Sequence, residues 1–365
     1  MGTPTDTRCS FTFDPAEWKT DTGVSSPLLG DLDDLWKCPH EAGEEFDYCL
    51  FHRPVERKDP EAVRNAFLDK IDEPGDEPKQ FVGARFGRLN LDHEIVECRD
   101  NHMIDLRHAR FEDSASWQYT IVEQPISFSG AEFLSRPEFT ETVFNGEVYC
   151  HKVNFEEPVR FIETEFRAGF WGNGAEFTEV NFHNAKFGGP VDLSEASFEK
   201  AHFRAAQFET TAKFKLATFD HVSFTGTRFN ERFYFDQATV PEKVSLQKTK
   251  VDELASFENL HLAAETCCID LTQSIIPAGR LALPEEGTLV YDLTDATLGD
   301  VDLATDDPPP ALIERYRFAY TTFQGFDFGV YRDALHQVNW RLHTVIDVPE
   351  LDPRAYPRNV LGHIW

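Results

Sequence analysis

The chain has 365 residues and a net charge of −29, with 64 Asp or Glu against 35 Lys or Arg. That length suits two or three domains or one long repeat array. The charge disfavours direct nucleic-acid binding, which needs clustered Lys and Arg on phosphates.

No apolar run reaches the length of a membrane-spanning helix, so no membrane span is expected. The opening MGTPTDTRCS has no apolar signal core, which predicts a cytoplasmic protein. Its seven Cys are then thiols or metal ligands rather than disulfides. Of the basic residues 13 are Lys and 22 are Arg, and no Lys follows Lys250. Acid spread along a Lys-poor chain predicts a halophilic surface, hydrated in high salt. The rival reading is functional, with the acid imitating nucleic acid or attracting a basic partner.

The first segment, residues 1–58, is Cys/His-rich: RCSF carries Cys9, and KCPHEAGEEFDYCLFHRP carries Cys38, His40, Cys49 and His52. Cys49-x-x-His52 puts two ligands across a tight turn, and Cys38 and Cys9 complete a tetrahedral Cys3His set. About 50 residues with few apolar side chains bury little core, so a metal staple would help them fold. The expectation is a structural zinc on Cys9, Cys38, Cys49 and His52, with His40 as substitute. The competing reading is buried thiols beside surface histidines. Glu41, Glu44 and Glu45 form no recognisable general-base motif, so catalysis is not expected there.

Residues 59–79 read as a capping helix and linker. Asp59 is the N-cap, Pro60 opens the helix, and Val63, Ala66 and Phe67 share a side. From residue 80 to 305 a period of five takes over. It is irregular at first (Ala84-Arg85-Phe86, Ile104-Asp105-Leu106, Ala109-Arg110-Phe111) and strict over 126–237. There, 21 successive centres run from Phe128 to Phe235, and all are Phe except Tyr149, Trp171 and Leu193. A small or β-branched residue stands two positions before most of them, as Ala196 before Phe198 and Val191 before Leu193. Five fits neither the helical period of 3.6 nor the strand period of 2. A five-residue unit with one large and one small inward residue cannot bury itself alone, but stacked units can. Four such sides make a square coil, and six-residue intervals ending at Leu193, Phe214 and Phe235 mark one corner bulge per coil.

On Ala185-Lys186-Phe187, Ala196-Ser197-Phe198, Ala201-His202-Phe203, Ala206-Gln207-Phe208 and Ala217-Thr218-Phe219, the chain resembles the pentapeptide repeat family, whose repeat reads A-(D/N)-(L/F)-x-x. The composition suggests a haloarchaeal-type member. The resemblance implies a right-handed quadrilateral parallel β-helix, a mainly β pentapeptide-repeat solenoid. Asp or Asn is mostly missing from the middle position, which leaves the turn types open.

Loops are expected near 112–124, 238–265 and 277–289, and DDPPP at 306–310 ends the ladder. Residues 306–365 read as a helical cap and tail, with helices over Ala311–Thr322 and Tyr331–His343. They cap the last coil or pair two chains, leaving a monomer or a homodimer. Three further Cys/His features carry weaker signals. Cys150-His151 reads as a solvated corner and Cys267-Cys268 as a core thiol with an outward neighbour. His183, His202 and His221 are spaced too closely to stack.

No phosphate loop, nucleophile elbow or paired-carboxylate motif appears. The leading expectation is a non-enzymatic scaffold for a protein partner, since solenoid faces suit extended partners. One alternative is a DNA mimic acting on a DNA-binding enzyme, because some members of the resembled family protect gyrase. The other is a metal-dependent activity of the Cys/His segment.

Overall fold

The computed structural model describes residues 8–14, 35–43, 45–75, 79–303 and 315–337. They belong to two compact units, Met1–Thr178 and Glu179–Trp365. Each is mainly β, a parallel solenoid of short strands.

One corner of a coil shows why. In Val191-Asp192-Leu193-Ser194-Glu195-Ala196-Ser197-Phe198, the residues Val191, Leu193, Ala196 and Phe198 are buried and the other four stay accessible. Between the two strands a β-turn closes with the Ala196 N–H on the Leu193 carbonyl at 3.3 Å. Glu195, third in that turn, has φ 61. This left-handed conformation costs a side-chain-bearing residue energy. The ladder offsets the cost, because Glu195 N–H donates to the Lys215 carbonyl at 2.8 Å. Asp192 supports the same turn by accepting the Ser194 N–H at 3.0 Å.

Register then stacks like on like. In the first unit Arg110 pairs with Glu132, Asn154 follows, and Glu176 ends the row, a step of 22 residues. In the second, Lys186, Gln207 and Arg228 pair at a step of 21. Phe86, Phe111, Phe133, Phe155 and Phe177 form one stack, with centroid spacings of 5.0, 4.3, 4.7 and 5.1 Å. Phe187, Phe208 and Phe229 form another at 4.6 and 4.8 Å. These spacings are close to the separation of adjacent strands. Each buried Phe contributes about 1.5–3 kcal/mol. Thr120, Thr142 and Thr164 take small inward positions, and each donates its hydroxyl to a backbone carbonyl of the preceding coil at 2.6 Å. None is therefore a buried polar group without a partner.

The regular spacing assigns Tyr149 and Trp171 inward, and the structure corrects both. Val148 and Cys150 are buried, and Phe170 is buried one coil on. Tyr149 and Trp171 occupy the intervening strand positions, paired with each other, and Tyr149 is covered there at 4% exposure. The six-residue side precedes this position rather than following it. Alternation by two then sends 148 and 150 inward, and 170 and 172 likewise. Large Phe170 compensates small Gly172, and the Trp171 ring lies over Gly169, where an added Cβ would come within 2.6 Å of it.

The loops expected at 112–124 and 238–265 are coil. Ile121–Val122 pairs with Ile95–Val96, and Lys243–Ser245 pairs with Thr266–Asp270. Val122, Val244, Val251 and Ala255 replace Phe at the inward positions there, which hides the period. In 277–289 only 282–287 lies outside strands.

The helix expected over Ala311–Thr322 is also corrected. Residues 311–314 lie outside the described residues, but Tyr316–Arg317 and Thr322–Phe323 are strands. Tyr316 stacks on Tyr291 at 5.3 Å, and Tyr320 turns the chain at φ 57. Tyr316 and Phe318 alternate by two and are both buried, which is a strand pattern. Of the expected helix Tyr331–His343, a short helix Arg332–Gln337 is present and 338–343 lie outside the described residues.

Helix α1, Pro60–Asp72, starts where its capping residues place it, with Asp59 accepting the Ala62 N–H at 3.0 Å. Val63, Phe67 and Ile71 are buried. Phe67 packs on Phe81 at 4.7 Å and on Trp117 at 6.3 Å, at the start of the first unit's coils.

Candidate metal centre

Two backbone devices gather the Cys/His segment. Thr12–Phe13 pairs antiparallel with Trp36–Lys37. Cys38 N–H donates to the Phe11 carbonyl and Cys9 N–H to the His40 carbonyl, both at 3.0 Å. This carries Cys9 and Cys38 to one end of the pair. The second device is the turn Cys49-Leu50-Phe51-His52. The N–H groups of His52 and Arg53 both bond the Cys49 carbonyl, at 3.1 and 3.2 Å.

The four ligand-type atoms of Cys9, Cys38, Cys49 and His52 lie within 4.8 Å of one another. All four residues are buried. Cys38 Sγ and Cys49 Sγ are 3.8 Å apart. His52 Nδ1 is 3.5 Å from Cys9 Sγ and 3.2 Å from Cys49 Sγ. His52 Nε2 bonds the Val82 carbonyl at 2.9 Å. An Nε2–H donor leaves the Nδ1 lone pair facing the thiols, the tautomer a metal ligand needs. A buried Cys3His cluster of this kind can bind a metal ion.

Electrostatics points the same way. The hydrogen bond from Cys38 holds the Cys49 thiol far below its usual range, with His52 adding to the effect. Cys38 is pushed up, first by that same bond and then by burial. Burial raises Cys9. The shared hydrogen bond thus favours the thiolate on Cys49 over Cys38.

His40 is not brought into the cluster. Its Nε2 bonds the Gln80 carbonyl at 2.7 Å, its ring packs on Phe51 and Phe81, and burial lowers its pKa. Glu41 and Glu45 are exposed, and Glu44 lies outside the described residues.

The cluster's surroundings were not legible as site residues. Phe11 stacks on His52 at 3.9 Å and 8°. Gly83, at φ 65, leaves room for it, since a Cβ there would sit 2.4 Å from the Phe11 ring. Trp36 Nε1 donates to Gln80 Oε1 at 3.0 Å. Lys58 donates to the carbonyls of Phe51 and Arg85, and burial lowers its pKa to about 8. The alternation Cys9-x-Phe11-x-Phe13 was the available signal.

Residues 173–218 match the family described as pentapeptide repeats (9 copies). Among solved structures, the chain is similar to HetL, a pentapeptide repeat protein involved in heterocyst differentiation regulation from the cyanobacterium Nostoc sp.. The identity is 12%, the match covers 69% of this chain and 90% of HetL, and the TM-score is 0.16. No curated protein matches the chain.

The remaining Cys and His candidates fall into the pentapeptide coils. Cys150 is an inward centre rather than part of a solvated corner, and burial pushes its thiol up. Cys267 is buried, while Cys268 is partly accessible on the outer side. His221 pairs with Lys200, and His202 with Ser223, so these two histidines stand on different rungs.

Proposed function

We propose that this chain is a non-enzymatic pentapeptide-repeat scaffold for protein–protein interaction, with a structural zinc on Cys9, Cys38, Cys49 and His52. The observation that carries the reading is the closure of the Cys3His cluster. All four ligand residues are buried, and the second nitrogen of His52 is committed to Val82. A catalytic zinc keeps an open position beside a general base, and the described acids nearby, Glu41 and Glu45, are exposed.

The donor set fits the ion. With metal–sulfur bonds of about 2.3 Å and metal–nitrogen bonds of about 2.0–2.1 Å, tetrahedral zinc separates its donors by about 3.5–3.8 Å. The Cys38–Cys49 distance of 3.8 Å and the Cys9–His52 distance of 3.5 Å match that edge, and Cys49–His52, at 3.2 Å, is shorter than it. Thiolate and imidazole together select zinc over hard cations.

The scaffold role rests on the outer faces. Side chains there project from a rigid ladder at fixed spacing, which suits an extended partner. The mimic reading draws less support, because Arg residues interrupt the acid ladders. Arg110 pairs with Glu132, Arg160 with Glu138 and Arg228 with Asp252.

The test is a pull-down with the immobilised full chain from its native host at high salt. The expected result is a partner retained in fixed stoichiometry and competed by free chain. Retention of nothing beyond a charge-matched control protein contradicts the scaffold role.

A further inference from the structure

The first unit carries an apolar strip on its outer surface. Ile95, Ile121 and Val143 stack in register on the outward strand position. Ile95 is 62% exposed, and Ile121 and Val143 are partly accessible. Beside them the corner ladder begins with His93 and Tyr119, whose rings stack at 4.8 Å and 1°, and Tyr119 is 46% exposed. At the same strand position the second unit's ladder reads Lys186, Gln207, Arg228, Lys250, Ile275 and Thr297, with one exposed aliphatic rung rather than three in succession. Solvent-facing aliphatic rungs are thus not a requirement of the fold. Contiguous exposed apolar surface of this kind marks an interaction site.

Acid borders the strip. Glu141 and Glu163 continue the corner ladder below Tyr119, and Glu97 stands past Ile95. All three are exposed, and none has a basic partner among the described residues. Glu94, between His93 and Ile95, is paired to Arg64, and elsewhere on the unit acids such as Glu112 and Glu132 are paired to Arg as well.

We infer that this strip is a docking site for a basic amphipathic helix of a partner protein. The inference rests on the scaffold reading and deepens it. Rungs about 4.8 Å apart nearly match the helical pitch of about 5.4 Å, so apolar residues at i, i+4 and i+7 meet Ile95, Ile121 and Val143 in turn. Lys or Arg flanking that stripe reaches Glu97 on one margin and Glu141 and Glu163 on the other.

The probe is a helical Leu/Lys peptide, LKKLLKLLKKLLKL, titrated into the full chain by fluorescence anisotropy. A scrambled peptide of equal charge serves as control. Saturable binding is expected, weakened about tenfold or more by Ile95→Thr with Ile121→Thr, which keep charge and β propensity. Gln207→Thr, at the same position in the second unit, leaves binding unchanged. Glu97→Gln with Glu141→Gln flattens its salt dependence. Equal binding of scrambled peptide, or no effect of the Ile variants, overturns the inference. So does sedimentation of wild type as a dimer that the Ile variants dissociate, or Ile-dependent binding of phosphatidylcholine vesicles. If the strip fails while the pull-down still retains a partner, this inference falls and the scaffold reading stands.

Discussion

The carbonyl of Phe51 accepts the amide of Arg85 at 2.8 Å, as the carbonyl of Ala84 accepts the amide of Arg110 at 2.7 Å. The Cys49–His52 turn therefore takes the place of a coil before the first one. The Phe51 ring covers this end of the core, edge-on to Phe81 at 4.9 Å and tilted against Phe86 at 6.3 Å. His52 adds a second tie through Val82. These bonds tie the Cys3His cluster directly to the start of the solenoid.

Metal removal should consequently loosen more than the Cys/His segment. With chelator, or in Cys49→Ser, amide exchange protection over 79–111 is expected to fall about a hundredfold, equivalent to about 2.7 kcal/mol of lost ligand stabilisation. Protection over 182–235 is expected to hold. Loss confined to 8–58, seen by exchange mass spectrometry, would show the staple to be local.

The ring stacks carry the core. Phe203 lies between Phe182 at 5.0 Å and Phe224 at 4.8 Å, fully buried. Phe203→Ala should cost about 3–5 kcal/mol in denaturant unfolding, through lost transfer energy and a cavity that the flanking rings cannot close. A cost under about 1 kcal/mol would mean the stack relaxes freely.

The corrected register makes a paired prediction. Phe170→Ala should cost about 3–5 kcal/mol, whereas Trp171→Thr should cost less than half as much. The reverse order would restore the inward assignment of Trp171 and shift that coil by one residue.

His108 sets an acid response. Burial, with Arg107 beside it, lowers its pKa from 6.5 to about 4. Below pH 6.5 the unfolded chain takes a proton that the folded chain refuses, so folding stability falls with pH until about 4. The slope from this one group is at most about 1.4 kcal/mol per pH unit. His108→Asn, which tolerates the left-handed φ of 55 at this position, should flatten that window in pH-dependent unfolding. An unchanged slope would assign the acid response to other groups.

Legibility in the sequence followed side-chain size. Where Phe fills the column, as at Phe182, Phe187 and Phe198, the period of five identifies coil and family together. Where Val244, Val251 or Ala255 fills it, the same coil looks like loop, because the large–small contrast is lost. At Tyr149 and Trp171 aromatic identity outweighed alternation, and small Cys150 and Gly172 were the true inward residues. The clustering of Cys9, Cys38, Cys49 and His52 was legible because thiol and imidazole chemistry is specific and Cys49-x-x-His52 is a ligand-type spacing. Their supports, Phe11, Gly83 and Val82, were not, since a stacking ring and a backbone carbonyl leave no compositional mark. Acid spread along the sequence singles out no partner; the placement of Ile95 and Tyr119 on the outer face, bordered by Glu97, Glu141 and Glu163, suggests one.

The most direct measurement is zinc content together with X-ray absorption at the zinc edge, on full chain purified without added metal. The account predicts one zinc per chain, with three sulfurs at about 2.3 Å and one nitrogen at about 2.0–2.1 Å, lost in Cys49→Ser. A chain that stays metal-free after reconstitution, or holds zinc only through oxygen ligands, would contradict it.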